Sequence, residues 1–329
     1  MLIMKSRVGC FPHKIFYSLL AAGLVAMTAT SAFAGEGKSG AAKPVAASAV
    51  CASGFSGYKT NIWATTAPPN AEADSVSTVY PPSDDYKVLG GGAIIHTLDG
   101  YSFLTGSYPD IANGVAVGWI AQSKHQGSGT RARLTAYAIT VYDPDDCWNV
   151  KVYQQSTTSP VAHPAATVTI DAGYALTGGG ALAVPQTAGG NGNFLYSSMP
   201  YAGGGGSTYN GWSVHSKDHG FTDVANITAY AIGIKAAGAG VVTPTSNVVA
   251  GKASASLSNP SASVTGYNNV LPGVNCVLTG GGAHDDWGNG WGNLLTAIFP
   301  LGNGGWQSFG QSYGPESPAT LKAYAVCLN

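Results

Sequence analysis

The sequence predicts an all-β fold made of three internal β-sheet repeats, arranged either as one pseudo-threefold body, which the short linkers favour, or as three separate modules. Two observations lead there. The segment "LTGGGA" occurs at Leu176–Ala181 and again at Leu278–Ala283, with "VLGGGA" at Val88–Ala93. Each is followed by a Pro, a "GW" and an "AYA": Pro109, Trp119 and Tyr137; Pro200, Trp212 and Tyr230; Pro300, Trp306 and Tyr324. The Trp-to-Tyr interval is 18 residues every time, whereas the Pro-to-Trp intervals of 10, 12 and 6 mark a loop of free length. Recurrence at fixed spacing is the signature of a repeat architecture. The second observation is local pattern. "RLTAYAITV" and "NITAYAIGI" alternate apolar with small or polar residues and are rich in β-branched and aromatic types, as half-buried strands are. No stretch sustains a helical period between caps.

Taken in order, residues 1–34 read as a signal peptide. Lys5, Arg7 and Lys14 form its basic start, an apolar run follows, and "SAFA" ends at Ala34 as a small-residue cleavage site. Residues 35–73 read as an N-terminal tail and segment. The first β-repeat covers 74–142 and begins with the alternating run "SVSTV"; the second covers 165–235 and begins near "ATVTI"; the third covers 260–329 and begins near "SASVT". Residues 143–164 and the Ala/Gly/Ser-rich 236–259 read as linkers. Each repeat has room for four to five strands.

Composition bounds the partners. Three of the 15 basic residues fall in the signal, leaving 12 basic and 16 acidic residues and a net charge of −4. That balance argues against nucleic acid and anionic membrane surfaces. Charged residues are only 9% of the chain, against about 25% in ordinary domains. A neutral surface rich in Gly, Ser, Thr and Asn suits hydrogen bonding to neutral ligands such as glycans. No apolar stretch after the signal is long enough to span a bilayer. Cys10 lies in the signal, and Cys51, Cys147, Cys276 and Cys327 remain. An even count in an exported chain implies disulfides. In repeat register Cys276 stands where Tyr86 and Tyr174 stand, and Cys327 follows "AYAV" on the last strand of the same repeat, so Cys276–Cys327 is the expected pair. Cys51–Cys147 is then the other, clamping the N-terminal segment to the first linker. The lack of C-x-x-C argues against zinc or thioredoxin-like chemistry.

The glycine triplets lack the following Lys-Ser/Thr of a phosphate loop, or a strand-to-helix context. Glycine in a strand marks a bulge or a close approach, and the recurrent Trp and Tyr rings are the expected neighbours. The pattern "LTGGGA … S-x-P … GW … TAYAI" resembles a short β-domain of secreted and surface bacterial proteins, which often carries a Cys before the GGGA strand and another after "YAV". The third repeat, with Cys276 and Cys327, matches it best. The resemblance implies a small extracellular β-module and transfers no biochemical activity. The threefold repetition is similar in architecture alone to β-prism proteins, such as jacalin-like lectins.

Three groups of residues are candidates for function. Trp119, Trp212 and Trp306 suit either sugar stacking or, more simply, core packing. Lys124, His125, Lys217, Asp218 and His219, in "SKHQ" and "SKDHG", read as a solvated strand edge. The stretch "HDDWGNGWGN" is peculiar to the third repeat. Its His284, Asp285, Asp286, Trp287, Asn289, Trp291 and Asn293 combine carboxylates and amides, which hydrogen-bond sugar hydroxyls, with tryptophans that stack on pyranose rings. The same oxygens offer a Ca²⁺ alternative, although not at EF-hand spacing; no other cofactor is implied. Asp285 and Asp286 alternate sides on a strand, a poor acid/base couple. The expectation is a secreted, non-enzymatic protein that binds glycan or another surface ligand. The alternatives are a structural envelope or matrix protein, or, less favoured, a secreted hydrolase or membrane-active toxin.

Overall fold

The computed structural model describes Cys51, Phe55 and residues 58–329, apart from short stretches at 98–100, 127–130, 188–189, 204–207, 239–241, 266–275, 287–291, 303 and 313–316. The signal peptide and the tail to residue 50 lie outside the described residues.

The chain is all-β. The first repeat contributes β1 (Thr60–Glu72), β2 (Asp74–Val79), β3 (Tyr86–Thr97), β4 (Ser102–Ala112), β5 (Val115–His125) and β6 (Ala132–Tyr142). The second contributes β7 (Trp148–Ser156), β8 (Ala165–Thr169), β9 (Ala175–Pro185), β10 (Asn193–Tyr201), β11 (Gly211–Asp218) and β12 (Ala225–Ala236). The third contributes β13 (Ser246–Ala250), β14 (Ser261–Val264), β15 (Val277–Asp286), β16 (Asn293–Pro300), β17 (Trp306–Ser312) and β18 (Thr320–Leu328). Within the boundaries read from the sequence each repeat has five strands, inside the expected four to five, and among the described residues one further strand precedes each. The additional ones, β1, β7 and β13, lie in the stretches read as N-terminal segment and linkers. They lack the repeat motif because each is an edge strand laid along the "AYA" strand: β1 on β6, β7 on β12, β13 on β18.

The three sheets do not coincide with the three repeats. Their strand orders are β1-β6-β3-β16-β17-β14, β13-β18-β15-β10-β11-β8 and β2-β5-β4-β9-β12-β7. Every repeat splits into two three-stranded halves, and each half continues into a half from another repeat. The junction is equivalent each time, at Ala93 and Ile94 on β16, Ala181 and Leu182 on β4, and Ala283 and His284 on β10. The repeats therefore form one closed body.

The glycine triplets make this closure possible. The first glycines, Gly90, Gly178 and Gly280, meet one another's backbones at the centre of the threefold arrangement. The middle ones, Gly91, Gly179 and Gly281, lie under the rings of Trp119, Trp212 and Trp306. The last ones, Gly92, Gly180 and Gly282, admit a carbonyl of the adjoining repeat, from Ile298, Ser107 and Ser198. The expected aromatic contact thus holds for the middle glycine and the tryptophans. All three tryptophans are fully buried, so they are core residues and not sugar platforms. The "AYA" tyrosine rings lie on the outer faces instead, Tyr137 stacked on Phe299 and Tyr230 on Tyr108.

The residue before each triplet is bulged out of its ladder and turns inward. Thr177 Oγ1 donates to the Leu89 carbonyl at 2.6 Å, and Thr279 Oγ1 to the Thr177 carbonyl at 2.7 Å. Leu89 breaks this chain of hydroxyls and joins an apolar plug with Phe55, Trp148, Val277 and Leu328. The Cys51–Cys147 disulfide belongs to the plug, and Cys276–Cys327 ties the approach to β15 to β18. Both pairings are the expected ones and fit an oxidising compartment. Away from the plug, Phe103, Phe194 and Leu294, one from each repeat, converge in a separate apolar cluster. No helix among the described residues is long and apolar enough to cross a membrane.

Candidate functional site

Three near-copies of one unit supply an internal control: side chains that differ at equivalent positions are free of the shared packing requirement. On β4, β10 and β16 an equivalent residue bulges out of the ladder: Thr105, Tyr196 and Thr296. Its outer-face neighbours are Gln122 and Leu182 in one sheet, Phe309 and Ile94 in another, and His215 and His284 in the third. Only the sheet shared by repeats 2 and 3 carries Tyr–His–His.

These three side chains form a row. The Tyr196 and His215 rings are 5.5 Å apart, and Tyr196 and His284 are 6.5 Å apart. Tyr196 Oη lies 3.3 Å from His215 Nδ1, while Ser213 Oγ lies 3.3 Å from Nε2. Both imidazoles titrate below the ordinary histidine range. Burial is the main cause for each; His215 also feels His284, and His284 is held up by Asp286 and pushed down by Lys322. At neutral pH the row is uncharged, a strip of π faces between hydrogen-bonding groups. Lys322, paired with His284 in the ladder, lies over the Tyr324 ring.

The third-repeat stretch divides between two faces. His284 is half-buried in the row, Asp286 is exposed, and Asp285 between them is 0% exposed. The strand alternation separates the two carboxylates as expected. Asp285 occupies the inward position where repeats 1 and 2 have Ile95 and Ala183. It fits because Gly310 faces it, where the other repeats have Ser123 and Ser216; a β-carbon on Gly310 would strike Asp285 Oδ2 and Asn293 Oδ1. Asn293 is buried too. Its Nδ2 donates to the Ser258 carbonyl at 2.7 Å, as Asn193 Nδ2 donates to Ala162 and Asp223 carbonyls. Its repetition marks it as a structural clamp. Trp287, Asn289 and Trp291 lie outside the described residues.

The "SKDHG" stretch is not a solvated edge. Lys217 is only 2% exposed and His219 is equally enclosed, although Lys124, His125 and Asp218 remain half-buried. Lys217 pairs in the ladder with Phe194, whose ring belongs to the convergent apolar cluster, so its amine is carried inward. Burial pushes Lys217 down to about 8, against the pull of Asp218 and Asp285. Burial pushes Asp285 up to about 7, against Lys217 and with Asp286. Burial and then Lys217 push His219 down to about 4, opposed by its bond to the Gly292 backbone. Beside it, Gln126 Nε2 donates to the His219 carbonyl, joining repeats 1 and 2. The group is enclosed, and its carboxylate does not reach solvent.

Among the described residues no set of three or more His, Cys, Asp or Glu side chains is placed to hold a metal ion. Tyr196 and His215 were not singled out from sequence. The signal that finds them is alignment of the three copies on the bulge, where Thr, Tyr and Thr stand together. No protein-family model matches the chain, and no curated protein matches it.

Proposed function

We propose that the protein is a secreted, non-enzymatic binding protein that recognises a neutral glycan on the outer face of the sheet shared by repeats 2 and 3. The observation that carries this reading is the Tyr196–His215–His284 row, present on that sheet and replaced by Thr, Gln and Leu, or Thr, Phe and Ile, on the others. Flat aromatic faces stack on the apolar side of sugar rings. Exposed Asp286, and Lys322 on the neighbouring strand, supply hydrogen bonds at the rim. The signal-like N-terminus, the weak net charge and the two disulfides support an extracellular role. A glycan array probed with the mature chain and with the Tyr196→Ala/His284→Ala variant tests it. Saccharide binding by the parent that the double variant loses is the expected result. Binding that survives both changes removes the site. A chain that binds no saccharide and is recovered assembled in the envelope replaces the reading with a structural one.

A further inference from the structure

A different surface in the first repeat has the construction of a ligand platform. Tyr80 follows β2 directly, and its ring lies on Gly118 of β5: a β-carbon there would strike ring atoms Cδ1 and Cε1 and the Val79 carbonyl oxygen. The Tyr80 hydroxyl donates to Asp110 Oδ2 at 2.7 Å, and Asp110 is the ladder partner of Gly118. The ring is thus seated on a bare stretch of backbone and tethered at its tip. Tyr80 is nevertheless 57% exposed. A large aromatic residue fixed at two points with this much surface open has already lost the freedom that binding would otherwise remove.

Tyr80 borders a groove of about 720 Å³, within the range of about 300–1,000 Å³ usual for small-molecule sites. Trp148 and Val150 of β7 form part of its apolar lining, with Asp84, Asn113 and Asn149 among its polar groups. The wall carrying Asn113 is tied to β7. Asn113 and Gly114 both have positive φ, 53° and 80°, forming the tight tip of the β4–β5 hairpin, and the Gly114 carbonyl accepts from Val152 N at 3.0 Å. Lys87, also in the lining, is paired with Asp146 at 2.8 Å. That pairing leaves Asp84 to oppose an anionic ligand.

We propose that this groove is a second saccharide site, in which Tyr80 stacks on the apolar face of a neutral pyranose ring and Asp84, Asn113 and Asn149 hydrogen-bond its hydroxyls. The proposal rests on the reading of the protein as a glycan binder and places a contact between the first repeat and β7, beside the Cys51–Cys147 plug. The test uses the mature chain. An array of neutral hexose and N-acetylhexosamine oligosaccharides selects a bound saccharide, and calorimetry then compares Tyr80→Ala, Tyr80→Phe, Asn149→Ala and Tyr196→Ala/His284→Ala, with thermal melting as the check on folding. Tyr80→Ala is expected to weaken one class of site by about tenfold or more, while Tyr80→Phe, which keeps the platform, loses less than about threefold. Asn149→Ala, at an exposed strand position, weakens the same class without changing the melt. If Tyr80→Ala or Asn149→Ala leaves every saccharide affinity unchanged while Tyr196→Ala/His284→Ala abolishes binding, the groove proposal is overturned and the glycan reading stands. If the parent binds no saccharide, both fall.

Discussion

Asp285 and Gly310 face each other across the interior of the third repeat, and the carboxylate occupies the space that a β-carbon on residue 310 would need. The equivalent pairs in the other repeats are Ile95 with Ser123 and Ala183 with Ser216. Gly310→Ser alone is expected to destabilise the protein by about 1–3 kcal/mol through overcrowding. Adding Asp285→Ala recreates the pair of the second repeat and should recover most of that loss. A double-mutant cycle by urea denaturation reads the coupling; additive effects would show that the two positions are independent.

The same carboxylate makes stability depend on pH. Asp285 is raised to about 7 in the folded chain, by burial against the pull of Lys217 and with a push from Asp286. A raised carboxyl contributes stability that is complete below its unfolded value of about 4 and is lost as pH rises through about 7. His219, lowered to about 4, acts in the opposite sense: its contribution is present above about 6.5 and is lost as pH falls through about 4. The two windows overlap, so the parent's melting curve against pH mixes them. Asp285→Asn removes one. Relative to the parent, this variant should melt higher above about pH 7 than at about pH 4. A difference that is constant with pH would contradict the placement of Asp285.

The middle glycines admit no side chain. Gly281→Ala would drive a methyl into the Trp306 ring and the Tyr324 carbonyl, and neither can retreat inside a closed core. A loss of about 3 kcal/mol or outright failure to fold is expected. Gly302→Ala, at a turn with nothing within 4 Å of its β-carbon, is the matched control and should leave denaturation unchanged.

The plug should depend on its disulfide. Cys51 and Cys147 are 96 residues apart in sequence and hold the segment bearing Phe55 against Trp148. Replacing both by Ser should cost about 2–5 kcal/mol, and it should alter tryptophan fluorescence as Trp148 loses its cover. A melt and emission spectrum identical to the parent's would mean that the plug holds without its staple.

The repeats were legible because one triplet of glycines, one Trp and one Tyr recur under packing constraints that no copy can relax. The disulfides followed from register. Sharing of sheets between repeats was not legible: it depends on Ala93, Ala181 and Ala283 meeting strands of other repeats, and nothing in a strand's alternation names its partner. Strands β1, β7 and β13 lie in the N-terminal segment and the two linkers, and carry no repeat motif because edge strands need no recurring core residue. The inward turn of Lys217 was hidden for a related reason. A lysine near a strand end ordinarily reaches solvent, and only its ladder pairing with Phe194 carries it inside. Asp285 looked like a ligand contact because acidic residues are seldom buried, and the glycine that makes room for it lies 25 positions away, at Gly310.

The shared sheets fix the number of repeats. Each repeat offers one half-sheet to one neighbour and takes one from the other, and the third returns to the first. Such a ring has no growing end, so it cannot be lengthened or shortened by whole units as a solenoid can. Three unlinked copies of a single repeat would close the same circuit as a symmetric homotrimer. In those terms the present chain is a trimer fused in tandem, in which fusion has freed each copy to change on its own: a plug closed by the N-terminal segment at one place, and a Tyr–His–His row where the second meets the third.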